Sequence, residues 1–252
     1  MKNKRIKTKN IIDFCQEYLE VNNFSDYCLN GLQVEGCPKV NKIVTGVSLS
    51  TALIKEAVKK QAQMIIVHHG IFGNQIGNNP QIKGFLRQRL KLLLENDINL
   101  AGFHLPLDAH PKIGNNISLC RLLGIRKCKP LNVGFIGELE REVRFDKFVD
   151  IVNRKLGTRS YTIAAGPKLV KRIGVISGGA SPEFELAYEA SADTYICGDV
   201  RESVVRGIIE IGINFINAGH YNTEKLGIKN LGNLIARRFG IKVEFVDIPC
   251  DV

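Results

Sequence analysis

The stretch that decides the fold is KIVTGVSLSTALIKEAVKKQAQMIIVHHG, residues 42–70. KIVTGVS (42–48) predicts a short apolar strand, and STALIKEAVKKQA (50–62) predicts a helix that begins at a serine or threonine cap. MIIV (64–67) predicts a second strand that leads into HHG. A strand, a helix and a strand in this order are typical of an α/β fold with parallel strands.

The second half of the chain repeats this order. KRIGVIS (171–177) and DTYIC (193–197) predict strands on either side of a helix, SPEFELAYEAS (181–191). INLAGF (98–103) and INFINAG (213–219) are matched third strands, each followed by a histidine. The sequence therefore predicts an α/β fold of two pseudo-repeated αβ lobes with mixed, largely parallel sheets.

The remaining patterns fill in the lobes. Further helices are predicted at 10–22, 81–96, 115–125, 145–156, 202–212 and 231–240. We expect a basic N-terminal tail at 1–10, a first αβ lobe at 11–130 and a second at 131–252, with no inserted domain. NGLQVEG (30–36) predicts a turn or a short extended segment, either near a site or only structural.

Composition sets the class of protein. The chain has 252 residues, of which 44% are hydrophobic and 24% are charged, so wholesale disorder is excluded. No apolar run is long enough to span a membrane, and no apolar stretch follows the basic start as a secretory signal requires. Seven cysteines with no C-x-x-C pair predict reduced thiols, and hence a cytoplasmic protein.

The net charge of +10 permits anionic partners without requiring them. Five of the basic residues lie in the first ten, and such a tail is more often a solvated terminus than a nucleic-acid arm. Nucleic acid is therefore a possible but unsupported partner, and no membrane partner is expected.

Histidines at the ends of predicted strands are the strongest chemical signal. Two matched pairs stand out, His104 with Asp108 and His220 with Glu224, each a histidine followed four residues later by an acid. Loops after the carboxyl ends of strands bind ligands in α/β folds. The candidate metal ligands are His68, His69, His104, Asp108, His220 and Glu224.

Imidazole and carboxylate ligands suit zinc, manganese, iron or nickel. Six ligands are too many for one ion and fit a dinuclear centre. Taken singly, each histidine is more often a hydrogen-bonded structural residue, and each acid a helix cap. Pro106 predicts an extended loop for His104 and Asp108, and Asn222 or Thr223 is a candidate cap for the next helix.

Three further residues are candidates for proton transfer. Glu202 and Asp199 follow the strand that matches the HHG strand, and they either act as base or substrate contact or only pair with neighbouring arginines. His110 is a hydrogen-bond donor that supports a ligand, a proton shuttle, or a surface residue before Pro111. SGGA (177–180) predicts a tight turn able to receive an anion at a helix N-terminus.

The motifs HHG, GFHLPLDAHP, GNN and AGHYNTE together resemble the dinuclear-metal-centre family of GTP cyclohydrolase 1 type 2 homologues, in its short bacterial form. The resemblance implies the same six metal ligands, two αβ lobes around the metals, and a ring-shaped homohexamer with sites facing an inner cavity. One departure follows HHG, where relatives often carry aromatic and basic residues and this chain has Ile71, Gly73 and Asn74.

The resemblance implies a metal-dependent hydrolase with two divalent ions per chain and a nucleotide-like anionic substrate. The expected reaction is GTP cyclohydrolase-type opening of a purine nucleotide, in which metal-activated water attacks C8 and formate leaves. Two alternatives remain open: a two-metal phosphoesterase, and a non-catalytic ring-forming module that binds nucleic acid or protein.

Overall fold

The structure is a computed structural model that describes residues 4–73 and 81–250. The described residues form the following strands: β1 Ile6–Lys7, β2 Gly31–Val34, β3 Lys39–Val40, β4 Lys42–Ser48, β5 Met64–His69, β6 Asn99–Gly102, β7 Arg126–Leu131, β8 Gly134–Arg144, β9 Tyr161–Ala164, β10 Leu169–Val175, β11 Thr194–Cys197, β12 Asn214–Asn217 and β13 Lys242–Phe245. They form these helices: α1 Thr8–Tyr18, α2 Thr51–Lys59, α3 Gly84–Glu95, α4 Leu105–Ala109, α5 Asn115–Leu123, α6 Phe145–Leu156, α7 Phe184–Glu189, α8 Glu202–Ile211 and α9 His220–Phe239.

The chain divides into two compact units that are not continuous in sequence. The first unit comprises residues 1–107 and 228–248, and the second comprises 108–227 and 249–252. The predicted lobes divide the chain once, at 130/131, whereas the first unit also takes in β13 from the end of the sequence.

The first unit contains a five-stranded sheet in the order β13-β4-β5-β6-β2. The four strands from β13 to β6 are parallel, and β2 is antiparallel at the edge. The apolar runs explain the burial, because Ile65, Ile66 and Val67 of β5 are fully buried. Leu53 and Ile54 of α2 pack into the same core.

The second unit contains a six-stranded sheet in the order β7-β8-β10-β11-β12-β9. Its three central strands, β10, β11 and β12, are parallel. On one side β8 pairs antiparallel with β10 and β7 pairs antiparallel with β8, and on the other side β9 pairs antiparallel with β12. Two apolar clusters cover this sheet, one that includes Phe148 of α6 and one that includes Phe184 of α7.

The predicted fold class is confirmed. Each unit is built on three consecutive parallel strands, β4-β5-β6 in the first and β10-β11-β12 in the second, and each sheet is mixed. Local signals also hold at helix ends. The Ser50 hydroxyl caps α2 by accepting from the Leu53 amide at 3.1 Å, and Gly124 ends α5 with a left-handed φ of 76°.

Part of the basic N-terminal segment is structured. Ile6–Lys7 pairs with Lys39–Val40, and α1 begins at Thr8, two residues before the predicted helix. The Thr8 hydroxyl donates to the carbonyl of Cys37 at 2.6 Å. These contacts attach residues 6–10 to the first unit.

All seven cysteines are free thiols, and Cys15, Cys120 and Cys197 are buried. Burial raises the pKa of the Cys15 thiol, so this side chain behaves as a small apolar core residue. Within residues 4–73 and 81–250, no helix is both long and apolar enough to cross a membrane.

Candidate metal centre

Three histidines of the first unit lie together at the ends of adjacent strands. His68 and His69 end β5, and His104 follows β6. Their ring centroids are 4.5 to 5.5 Å apart, and one ring nitrogen from each lies within 4.8 Å of the others. The structure therefore brings these three predicted ligands to one place, as the parallel order of β5 and β6 requires.

Each of these rings is held through its Nδ1 atom. His68 Nδ1 donates to the backbone carbonyl of Phe103 at 2.9 Å, and His69 Nδ1 lies 2.9 Å from the Ser48 hydroxyl. The Asp26 carboxylate accepts from His104 Nδ1 at 3.0 Å. An acceptor on Nδ1 fixes the tautomer that presents Nε2 to a metal, and such anchoring is usual for histidine ligands.

The turn after HHG depends on a glutamine from the NGLQVEG segment. The Gln33 side chain, on β2, donates to the Leu29 carbonyl at 2.7 Å and accepts from the Ile71 amide at 2.8 Å. A Cβ at Gly70 would overlap the Gln33 carboxamide, so a side chain at this position would displace the glutamine. NGLQVEG thus supports the histidine strand end. In the segment where the chain departs from its relatives, Ile71 is a buried core residue, and Asn74 lies outside the described residues.

In the second unit, Asp108 lies in a buried polar network. One oxygen of its carboxylate accepts from the Asn115 side chain at 2.8 Å and from the Ser177 hydroxyl at 3.0 Å. The side-chain oxygen Oδ1 of Asn115 in turn accepts from the Gly227 amide at 2.6 Å. These bonds compensate for the burial of Asp108, which is 4% exposed.

His220 and Glu224 lie on the first turns of α9. Because they are four residues apart on a helix, they share a face, and His220 Nε2 is 3.1 Å from a Glu224 carboxylate oxygen. Glu224 is 2% exposed, and one of its oxygens lies within 4.8 Å of an Asp108 oxygen. The backbone of Gly178, with a φ of 68°, approaches this carboxylate so closely that a Cβ there would overlap it.

Two local predictions for these ligands were wrong. Asp108 lies on the short helix α4 rather than on an extended loop, because Pro106 takes the second position of that helix, where its missing N–H costs no hydrogen bond. Neither Asn222 nor Thr223 caps α9, which begins earlier, at His220. The Thr223 hydroxyl instead donates to the His220 carbonyl and accepts from the Gly178 amide.

The donor atoms fit a divalent metal in chemistry and in placement. In the first unit, three imidazoles converge, two of them with Nδ1 committed to a carbonyl or carboxylate oxygen. In the second unit, the buried carboxylates of Asp108 and Glu224 lie near each other, and a cation would offset their repulsion. Sulfur is not required, which agrees with zinc, manganese, iron or nickel.

The three proton-transfer candidates occupy different surroundings. Asp199 accepts from the Ser181 amide at 2.9 Å, and a Cβ at Gly179 would lie within 4 Å of both the Asp199 carboxylate and the His220 ring. Glu202 is exposed at the first position of α8. His110 Nδ1 accepts from the amide of Ile113 in the turn before α5.

Sequence reasoning missed the residues that hold the ligands. The predicted ligands contact four side chains that no spacing pattern in the sequence links to them: Asp26, Ser48, Asn115 and Ser177. Asn115 was visible only as part of the GNN motif. Tyr27 was also missed; the residue is 57% exposed, and its hydroxyl is 3.4 Å from His104 Nε2.

Comparison with known proteins gives a consistent picture. "GTP cyclohydrolase 1 type 2 homolog" of Haemophilus influenzae is 42% identical over 236 residues, covering 91% of this chain and 93% of the relative. The protein of the same name from Escherichia coli K12 is 41% identical over 248 residues, covering 97% and 99%.

Solved structures agree with the fold. The protein ybgI, described as of unknown function, matches with a TM-score of 0.93 at 40% identity, over 98% of this chain and 100% of that one. TTHA1606 from Thermus thermophilus matches with a TM-score of 0.90 at 32% identity, again over 98% and 100%. Residues 6–251 match the family Duf34/NIF3 (NGG1p interacting factor 3). With these matches over nearly its whole length, the chain belongs to the Duf34/NIF3 family.

Proposed function

We propose that this protein is a metal-dependent hydrolase that binds two divalent ions through six residues and opens the base of a purine nucleotide, with GTP as the substrate. The proposed ligands are His68, His69, His104, Asp108, His220 and Glu224. The observation that carries the proposal is the pair of ligand clusters, one of three imidazoles and one of two buried carboxylates and an imidazole.

The charge of the ligand set supports an anionic substrate. Two divalent cations outweigh the two carboxylates, so the site would keep a positive charge. Bound divalent ions would lower the pKa of a coordinated water towards about 7 and polarise the substrate. The relatives named GTP cyclohydrolase 1 type 2 homolog support a guanine nucleotide as the substrate class.

Residues of this chain would bind the nucleotide and move protons. The exposed ring of Tyr27 beside His104 suits stacking on a planar base. For proton transfer we propose Glu202, Asp199 and His110. What supports Asp199 is its place across Gly179 from the His220 ring. Self-association into a homohexameric ring and a cytoplasmic location remain predictions of the resemblance.

The test is turnover of GTP by metal-loaded protein, followed by mass-resolved chromatography and by a separate assay for formate. We expect loss of one carbon from the base as formate, with the triphosphate intact. His68→Ala and Asp108→Asn should abolish this product, and an exposed change far from the ligands in sequence, Lys129→Ala, should not.

Two results would contradict the proposal. Release of inorganic phosphate without formate, lost in the same variants, would identify a phosphoesterase. The cyclohydrolase reaction would be excluded if the protein bound two metals but formed no product from GTP, so that wild type and His68→Ala gave the same result in the turnover assay.

A further inference from the structure

The partner of Nδ1 is different in His104 from the partners in His68 and His69. His68 Nδ1 is held by a neutral carbonyl and His69 Nδ1 by a hydroxyl, whereas His104 Nδ1 meets both oxygens of the Asp26 carboxylate, at 3.0 and 3.2 Å. A carboxylate accepts and does not donate when ionised, so Nδ1 carries the proton and Nε2 carries the lone pair.

Asp26 is itself fixed by the loop on which it lies. Its carboxylate accepts from the amides of Cys28 and Leu105, each at 2.9 Å, and from the Asn30 side chain at 2.9 Å. The Asp26 side chain is 2% exposed. The hydrogen bonds that this carboxylate accepts compensate for its burial.

The same loop positions the backbone at His104. The side-chain oxygen Oδ1 of Asn30 accepts from the His104 amide at 2.7 Å, and the Tyr27 hydroxyl is 3.4 Å from His104 Nε2. The loop thus contacts His104 at its amide, its Nδ1 and its Nε2. Hydrogen bonds from two backbone amides and the Asn30 side chain leave Asp26 little freedom to rotate, so the direction of Nε2 is set before any metal binds.

We propose that Asp26 is a positioning residue that acts through His104, forming a carboxylate–histidine–metal triad in which the carboxylate makes His104 Nε2 a stronger metal ligand. The proposal rests on the metal binding of the proposed function, and it does not depend on which reaction the metals support. A carboxylate on Nδ1 increases electron density at Nε2, and loss of such a partner lowers metal affinity by roughly 10–100-fold.

The test compares Asp26→Asn with Asp13→Asn. Both changes remove one carboxylate charge and keep the shape of the side chain, but Asp13 is exposed and pairs with Lys9 instead of a histidine. Each variant is titrated with cobalt(II) against a competing chelator, after urea denaturation has shown that its metal-free form is folded under the titration conditions. We expect a roughly 10–100-fold loss of affinity and a changed cobalt d–d spectrum in Asp26→Asn, with wild-type affinity and spectrum in Asp13→Asn.

A second readout needs no metal. Nitrogen-15 NMR of the histidine rings should show His104 protonated at Nδ1 in the metal-free wild type, and a mixed tautomer in Asp26→Asn. Unchanged tautomer and unchanged cobalt affinity in Asp26→Asn would overturn the proposal. If the wild type binds no cobalt, the proposed function fails, and the NMR result still decides whether Asp26 orients His104.

The loop also offers an alternative metal site that includes a cysteine. Asp26, Cys28 and His104 also place one possible ligand atom each within 4.8 Å. If a metal bound on this side, the cobalt complex would show a thiolate charge-transfer band that disappears in Cys28→Ser, and that result would contradict the positioning role of Asp26.

Discussion

The backbone of Gly178 lies directly against the carboxylate of Glu224, a proposed metal ligand. With a φ of 68°, it brings the chain so close to this carboxylate that any side chain would overlap it. Gly157 has nearly the same φ, 66°, but a Cβ there would meet nothing within 4 Å. The two glycines therefore separate the cost of a left-handed backbone from the cost of displacing a ligand.

We predict that Gly157→Ala and Gly178→Ala each lose about 1–2 kcal/mol from the left-handed backbone, and that only Gly178→Ala also loses metal. The free energy of unfolding of the metal-free proteins, together with bound metal by elemental analysis, would check this. Equal metal content in both variants would show that Glu224 can move away without affecting the site.

Tyr27 provides a second test on a single side chain, because its ring is exposed beside His104. If the ring stacks on the base of a nucleotide, Tyr27→Ala should weaken binding of a non-hydrolysable GTP analogue by about 1–3 kcal/mol, while Tyr27→Phe keeps most of the affinity. Calorimetric titration of the metal-loaded proteins measures both. Affinity unchanged in Tyr27→Ala would exclude stacking at this position.

Among the elements, the edge strand β13 carries a glutamate, Glu244, that pairs with two lysines. Glu244 accepts from Lys60 at 2.8 Å and Lys42 lies 2.9 Å away, and these two ammonium groups lower the Glu244 pKa to about 2. The unfolded-state value for glutamate is about 4.3, so the folded state holds the proton less tightly. The stabilisation of the folded state by Glu244 and its two lysines is therefore fully present above about pH 4.3 and is lost as the pH falls towards 2.

We predict that Glu244→Gln is less stable than wild type at neutral pH and that the difference vanishes near pH 2. The side chain of Glu244 is 39% exposed, so salt should also reduce the difference. Urea unfolding across pH and salt would measure it, with Glu95→Gln in the exposed intrahelical pair with Lys91 as the control. A pH-independent difference would mean that Glu244 acts through packing instead.

The elements also show what the sequence can and cannot predict. Apolar runs such as MIIV and β-branched strands identified β4, β5, β10, β11 and β12, because a strand buried on both faces has few alternatives. The short helix α4 and the early start of α9 were mispredicted because proline tolerance and capping depend on the exact first residue of a helix. Asp26 could not be assigned from sequence, because its contact with His104 joins residues 78 apart.

For the whole molecule, the predicted α/β class with mixed sheets is confirmed, and the family is established by matches over nearly the full chain. The strand order explains why the histidine prediction was possible: parallel neighbours end at one edge of a sheet, so histidines after β5 and β6 must lie near each other. The homohexameric ring has no such local rule behind it and stays a prediction.

The central claim is a dinuclear centre, and metal content tests it most directly. Protein purified without chelators, or reloaded after their removal, should hold about two divalent ions per chain by elemental analysis. His68→Ala and His220→Ala, one from each unit, should each lower that number, while Lys129→Ala should not. A wild-type content below about half an ion per chain, unchanged in His220→Ala, would contradict the account.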